Sequence, residues 1–150
     1  MKEHLAHQLR TSHHELFKDG CSLDCGDGWF NILDVLSFNI EQHIKNLISQ
    51  AEWAKKNKSP RCVQVLDKVR YSQIKEKFGT LRVYTDGTDD EINGMIRMAE
   101  AMSGRICEEC GAPGALRPGG WYRTLCNQHF VAKALGAPDS FMDSDITSIE

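Results

Sequence analysis

Four residues near the end of the chain leave its last third little freedom: Cys107, Cys110, Cys126 and His129, spaced C-x2-C-x15-C-x2-H. Two-residue gaps let each pair of donors converge from a tight turn or from the first turn of a helix, and two such pairs complete a tetrahedron. The interval of 15 residues is the usual span between ribbon knuckles, with a histidine in place of the fourth cysteine. The spacing predicts one Zn2+ ion held by these four side chains. Free buried cysteines alone would not explain a histidine at that offset. "CGAPG", beginning at Cys110, supplies glycines where a knuckle needs positive φ.

A shell closed by four side chains points to a structural ion, because catalytic zinc keeps a position open for water or substrate. The stretch from Ile106 to Phe130 holds few core side chains, so the ion is expected to supply much of the local folding energy. Between the knuckles, "RPGGWYRTL" predicts a β-turn and a strand with Trp121 packing nearby. A helix from Asn127 to Leu135, stopped by Gly136, would carry His129. Chelation is expected to unfold residues 105–136 and to leave the long helix largely intact.

With 150 residues, 41% of them hydrophobic, the chain fits one domain with a small appended module. The expected division is a core over 1–104, the knuckle module over 105–136 and a loosely held acidic tail over 137–150. Three of the six cysteines fall in the clustered pattern, which favours metal ligation over disulfides. No run approaches the roughly 18 apolar residues of a membrane helix. "MKEHLAHQLR" lacks the apolar stretch of a secretory signal. The expectation is a cytoplasmic protein without a membrane partner.

Before the module, the pattern reads as α+β: a long amphipathic helix packed on a β-ribbon, a second helix, then the zinc-ribbon-like module. Trp29, Leu33, Leu36, Ile40, Ile44, Leu47 and Ala51 step by three or four residues and line one helix face. Asp24 or Asp27 is placed to cap that helix, and Pro60 to end it. Residues 3–17 predict a shorter helix ahead of Gly20. Loose alternation over Val63 to Tyr71 and over Phe78 to Thr85 predicts the ribbon, with "SQIKEK" as its connection. "TDDEINGMIRMAEAMSG" predicts the second helix, opened by a capping box of Thr88 and Glu91 and closed at Gly104.

Net charge is −3, yet residues 54–82 carry nine Lys or Arg against Asp67 and Glu76. A basic segment inside an acidic protein attracts an anionic partner, or is simply a solvated positive face. Within it, Arg82 between Phe78 and Tyr84 on one strand face could stack a base and grip a phosphate, with Lys77 beside them. The competing expectation is that Phe78 and Tyr84 bury against a helix while Arg82 pairs with Asp27 or Asp24. "CGDGWF" is glycine-rich but acidic, unsuited to phosphate, and reads as a helix start or as a carboxylate aimed at an amine or guanidinium.

Other chemistry is weakly supported. A nuclease of the His-Asn-His type needs histidines beside its knuckles, and there is none from Cys107 to Asn127. Cys21, Cys25, His13 and His14 would form a second metal site only with an unusual spacing. Cys25 as a nucleophile, activated by a helix N-terminus, lacks an identifiable base. Walker-type and dinucleotide fingerprints are missing. No catalytic residue is assigned.

Together, "CGDGWF", "KEKFGTLRVY", the C-x2-C-G knuckle and "TLCNQH" resemble a group of small phage and prophage proteins of unassigned function. The likeness runs from about Cys25 to Phe130. It implies that Asp27, Gly28, Trp29, Phe78, Gly79, Arg82 and Tyr84 belong to a shared site or core, and that the quartet holds zinc. It also implies a non-catalytic accessory protein of an infected or lysogenic cell, binding a host factor or signal molecule and so inhibiting host defence. The partner would be a host protein or small anionic ligand at Asp27, Trp29, Lys77, Phe78, Arg82 and Tyr84. The alternative is a nucleic-acid-binding zinc-ribbon module using the basic ribbon 61–84.

Overall fold

The longest apolar stripe forms the longest helix, α3 (Phe30–Lys56), which buries Leu33, Leu36 and Ile40 in the core. The computed structural model describes residues 1–117 and 119–136, and the acidic tail expected over 137–150 lies outside the described residues. Ahead of α3 come α1 (Glu3–Ser12), α2 (His14–Phe17), β1 (Ser22–Asp24) and a 3-10 turn (Asp27–Trp29). The single helix expected over 3–17 is broken at His13, whose φ of −122° and ψ of 43° leave the helical region. His13 is buried against α3, its ring nitrogens 3.1 Å from Asp34 Oδ1 and 3.3 Å from Glu41 Oε1. Placing that ring between Asp34 and Glu41 is a tertiary demand that periodicity does not reveal.

Neither Asp24 nor Asp27 caps α3. The 3-10 turn supplies its first turn instead, and Asp27 Oδ1 accepts from the Lys2 backbone N–H at 2.6 Å. At the other end Lys58 takes a left-handed φ of 48° two residues ahead of Pro60.

The ribbon is displaced from its expected place. Residues 63–69 are irregular, and Ser72 to Lys77, read as connection, lie in β2 (Arg70–Lys77), which pairs antiparallel with β3 (Thr80–Asp86). The cause is the turn. Phe78 and Gly79 have φ of 54° and 77°, so a two-residue hairpin brings Lys77 opposite Thr80. Polar "SQIKEK" can be strand because Ile74 faces the core while Gln73, Lys75 and Lys77 face away. β1 joins β2 in parallel, aligning Leu23 with Ile74 and Asp24 with Lys75. The order β1-β2-β3 thus has α3 in its long crossover connection.

One sheet face packs Leu23, Ile74, Leu81 and Val83 into the core with α3 and α4 (Asp90–Ser103). α4 also covers the β3 edge: Leu81 N–H donates to Ser103 Oγ at 2.8 Å and Val83 N–H to Glu100 Oε1 at 3.0 Å. Edge donors that would otherwise template another strand are thereby spent. The sheet offers its second face, not this edge.

Asp89, not Thr88, caps α4, accepting from Ile92 N–H at 2.9 Å, while Thr88 Oγ1 donates to Asn93 Oδ1. The other Asp89 oxygen is 2.7 Å from His43 Nε2. Burial works against the charge on Asp89, but the Ile92 N–H and His43 outweigh it and hold the pKa below its usual value. A depressed carboxylate stabilises the fold above its unfolded pKa, and that stability is lost as pH falls through the folded value. Asp89→Ala is therefore expected to cost about 1–2 kcal/mol near pH 7 and to flatten the loss of stability below about pH 4. Asp89→Asn should keep most of the cap. Urea unfolding at the two pH values checks both.

Candidate metal centre

A knuckle needs a residue that reverses the chain tightly, and Gly111, with φ of 77°, provides it directly after Cys110. Gly111 N–H donates to the Cys107 carbonyl at 2.9 Å, closing the turn between the first two donors. The second pair lies where β5 (Arg123–Leu125) meets α5 (Asn127–Ala134), with Cys126 as N-cap residue and His129 in the first turn. β4 (Ala115–Arg117) pairs with β5 and spans the interval, matching the expected turn and strand. Trp121 does not pack nearby as expected. It is largely exposed, beyond the last rung at Arg117 and Arg123.

These elements converge the four donors. Cys107 Sγ is 3.6 Å and Cys126 Sγ 3.2 Å from His129 Nδ1, and Cys110 Sγ is 4.0 Å from Cys126 Sγ. All four donor atoms lie within 4.8 Å of one another, so the group could hold a metal ion. Burial opposes ionisation of Cys126, yet the His129 N–H and ring, with the neighbouring thiols, bring its pKa down to about 7. Burial pushes Cys110 up to about 11, reinforced by the adjacent Cys107. Crowded sulfurs that cannot all carry charge together favour a cation among them.

Among the described residues this is the single group of three or more such donors converged for a metal. Cys21, Cys25, His13 and His14 do not assemble: His13 faces Asp34 and Glu41, His14 faces Glu15, and Cys21 donates to the Ser22 carbonyl. Burial pushes the Cys25 thiol up to about 12, so desolvation opposes the thiolate that a helix N-terminus would favour.

The glycine motifs form the seat of this centre. Gly28 N–H donates to the Glu108 carbonyl at 2.8 Å, Gly26 N–H to Glu108 Oε1 at 3.2 Å, and Trp29 Nε1–H to the Ile106 carbonyl at 2.9 Å. A Cβ on Gly28 would overlap the Cys107 carbonyl oxygen and the Gly111 nitrogen and stand 2.8 Å from the Cys110 nitrogen. On the other side, Thr124 Oγ1 donates to the Gly79 carbonyl at 2.6 Å, and a Cβ on Gly79 would overlap Leu116 Cδ1 and stand 3.1 Å from the Arg123 nitrogen. Glu108 is buried, which raises its pKa, while Arg123 opposes the shift from 3.5 Å and also pairs with Glu109. The boundary near residue 104 thus separates two sequence patterns whose backbones interlock.

The six residues expected at a partner site fall into two groups. Trp29 is fully buried, because its indole must meet the Ile106 carbonyl, and it presents nothing to a partner. Asp27 is held by the Lys2 backbone, and the Lys2 ammonium lies 3.6 Å away. Lys77, Phe78, Arg82 and Tyr84 share the hairpin. Arg82 pairs with neither Asp24 nor Asp27, donating instead to Thr80 Oγ1 and the Leu81 carbonyl. Phe78 and Tyr84 do not bury against a helix; they are 68% and 44% exposed. Sequence reasoning missed Lys75, opposite Arg82, whose ammonium lies 5.1 Å above the Tyr84 ring.

No known family model, curated protein or solved structure matches the chain. Among the described residues, no helix is long and apolar enough to cross a membrane.

Proposed function

We propose that this chain is a non-catalytic binding protein in which a structural zinc ion braces the hairpin, and the open sheet face engages an anionic partner. Three thiolates and an imidazole are a donor set that zinc favours. A tetrahedron with Zn–S bonds of about 2.3 Å has edges of about 3.8 Å; three donor pairs are 3.2–4.0 Å apart and all lie within 4.8 Å. Four side-chain donors close the shell, which suits bracing rather than chemistry. The motif resemblance supports an accessory protein of phage type whose partner is a host factor, with interference in host defence as its purpose.

The observation that carries the reading is the composition of the solvent-facing side of the hairpin. Lys75, Lys77 and Arg82 lie there, and among the described residues none of them ion-pairs with a carboxylate. Unpaired cations on one face retain their field for a partner, even in a chain of net charge −3.

Retention on a heparin column tests this. Wild-type protein should be retained at low salt, and K75E/K77E/R82E, with unchanged metal content, should flow through. Identical elution of the two proteins would overturn the reading.

A further inference from the structure

The hairpin face holds more than charge. Each exposed aromatic ring lies under a lysine ammonium: Lys75 Nζ is 5.1 Å from the Tyr84 ring centre and Lys77 Nζ is 5.5 Å from that of Phe78. Arg82 lies between them, directly across from Lys75 and two residues from Tyr84. An acidic peptide would satisfy the three cations and leave both rings without a role. A free phosphate would use fewer cations still. A chain that alternates flat π-faces with phosphates uses all five side chains, the bases stacking on Tyr84 and Phe78 while the lysines turn to the backbone.

We infer that the β2–β3 face binds single-stranded nucleic acid, with Tyr84 and Phe78 as stacking platforms and Lys75, Lys77 and Arg82 as phosphate contacts. This rests on the reading that the face takes an anionic partner, and it names that partner's class. The strand from Thr80 to Tyr84 covers about 14 Å, and Phe78 extends the platform into the turn, so the footprint is a few nucleotides. Asp24, aligned with Lys75 on the neighbouring strand, bounds the site on the β1 side. Duplexes keep their bases stacked on one another and offer the rings no open π-face. Bracing from below keeps the platform fixed: Thr124 holds the Gly79 carbonyl, and Glu76 Oε1 accepts from the Gly79 N–H at 2.6 Å.

The experiment is fluorescence anisotropy of the full, metal-loaded chain with labelled oligouridine, oligothymidine and a hairpin duplex. At about 50 mM salt, where phosphate contacts are strong, the single strands should bind more tightly than the duplex. Tyr84→Ala should weaken single-strand binding by about fivefold or more, and Tyr84→Phe should leave it near wild type. Arg82→Gln should lower the magnitude of the salt dependence by about one phosphate contact. Preference for oligouridine over oligothymidine would place RNA as the ligand, and the reverse DNA. Absence of single-strand binding at low salt would overturn the inference, as would equal affinity of Tyr84→Ala and wild type or equal affinity for duplex. If heparin retention persists while no oligonucleotide binds, the anionic-partner reading stands and the nucleic-acid assignment falls; if both fail, both fall.

Discussion

Chelation of the metal is expected to shift the emission of Trp29 to longer wavelength while most of the helical circular dichroism survives. Trp29 is fully buried, with its indole N–H on the Ile106 carbonyl immediately before Cys107. The chain entering the first knuckle is therefore tied directly to this ring. With the ion gone, the clustered sulfurs no longer share a cation, and residues 106–111 lose the main restraint on their turn. The indole then meets water. By contrast, Leu33, Leu36 and Ile40 of α3 pack on Ile74, Leu81 and Ile92, contacts that need nothing from the module. Trp53 and Trp121 are largely exposed and are expected to emit as solvated indoles throughout, so a W53F/W121F background isolates the reporter. Binding energies of structural zinc sites reach about 10 kcal/mol in isolated fingers, so proteolysis should begin within residues 105–136. The simple expectation of an independent module unfolding alone is thereby sharpened. Loss of the metal should also loosen the start of α3 and the Phe78–Gly79 turn, through Gly28 and Thr124. Unchanged Trp29 emission and an unchanged protease pattern in metal-free protein would refute the bracing role.

The parts of this fold that could be read in the sequence are those set by local covalent geometry or by long periodicity. Cys107, Cys110, Cys126 and His129 were legible because two-residue gaps in a knuckle or a first helical turn fix where donors point, whatever the rest of the chain does. The face of α3 was legible because its apolar stripe continues for several turns. β2 was not, because Val63, Val65, Val69 and Tyr71 alternate more visibly than "SQIKEK" does. A strand covered on one face needs few apolar residues, and Ile74 serves there. The hairpin turn was hidden because it places Phe78, a bulky residue, at positive φ, which is uncommon outside glycine.

The role of "CGDGWF" was hidden for a different reason. The consequence of its glycines lies about 80 residues away in sequence, where a peptide chain must pass closer than a methyl group allows. Such an approach leaves no periodic trace. In the sequence the Cys3His pattern and the motif stand apart, one as a structural staple and the other as part of a partner site. In the structure the motif is the seat of the staple, and what the staple holds level is the hairpin carrying Lys75, Lys77, Phe78, Arg82 and Tyr84. The centre and the face proposed for recognition are joined through the Gly79 carbonyl, which accepts from Thr124 Oγ1.

Replacing Gly28 with alanine should therefore be among the most damaging single-methyl changes possible in this chain. The added carbon would stand where the Cys107 carbonyl and Gly111 nitrogen already are, and 2.8 Å from the Cys110 nitrogen. All three obstacles are backbone atoms of one knuckle, so no rotamer change relieves the overlap. Either the 3-10 turn backs away from Glu108 and loses the Gly28 N–H bond, or the knuckle opens and misplaces two metal donors. Overpacking usually costs about 1–3 kcal/mol, and a rigid backbone obstacle belongs at or above the top of that range. The expected result is a fall in melting temperature of about 10 °C, together with zinc affinity reduced at least tenfold, about 1.4 kcal/mol. Gly94→Ala is the matched control. Gly94 lies within α4, its added carbon would come no closer than 3.8 Å to the Arg97 guanidinium, and alanine there should stabilise by about 0.5–1 kcal/mol. Calorimetry and competitive zinc titration of the two variants decide the matter. If Gly28→Ala binds zinc as tightly as wild type and melts with it, the "CGDGWF" turn does not seat the metal centre.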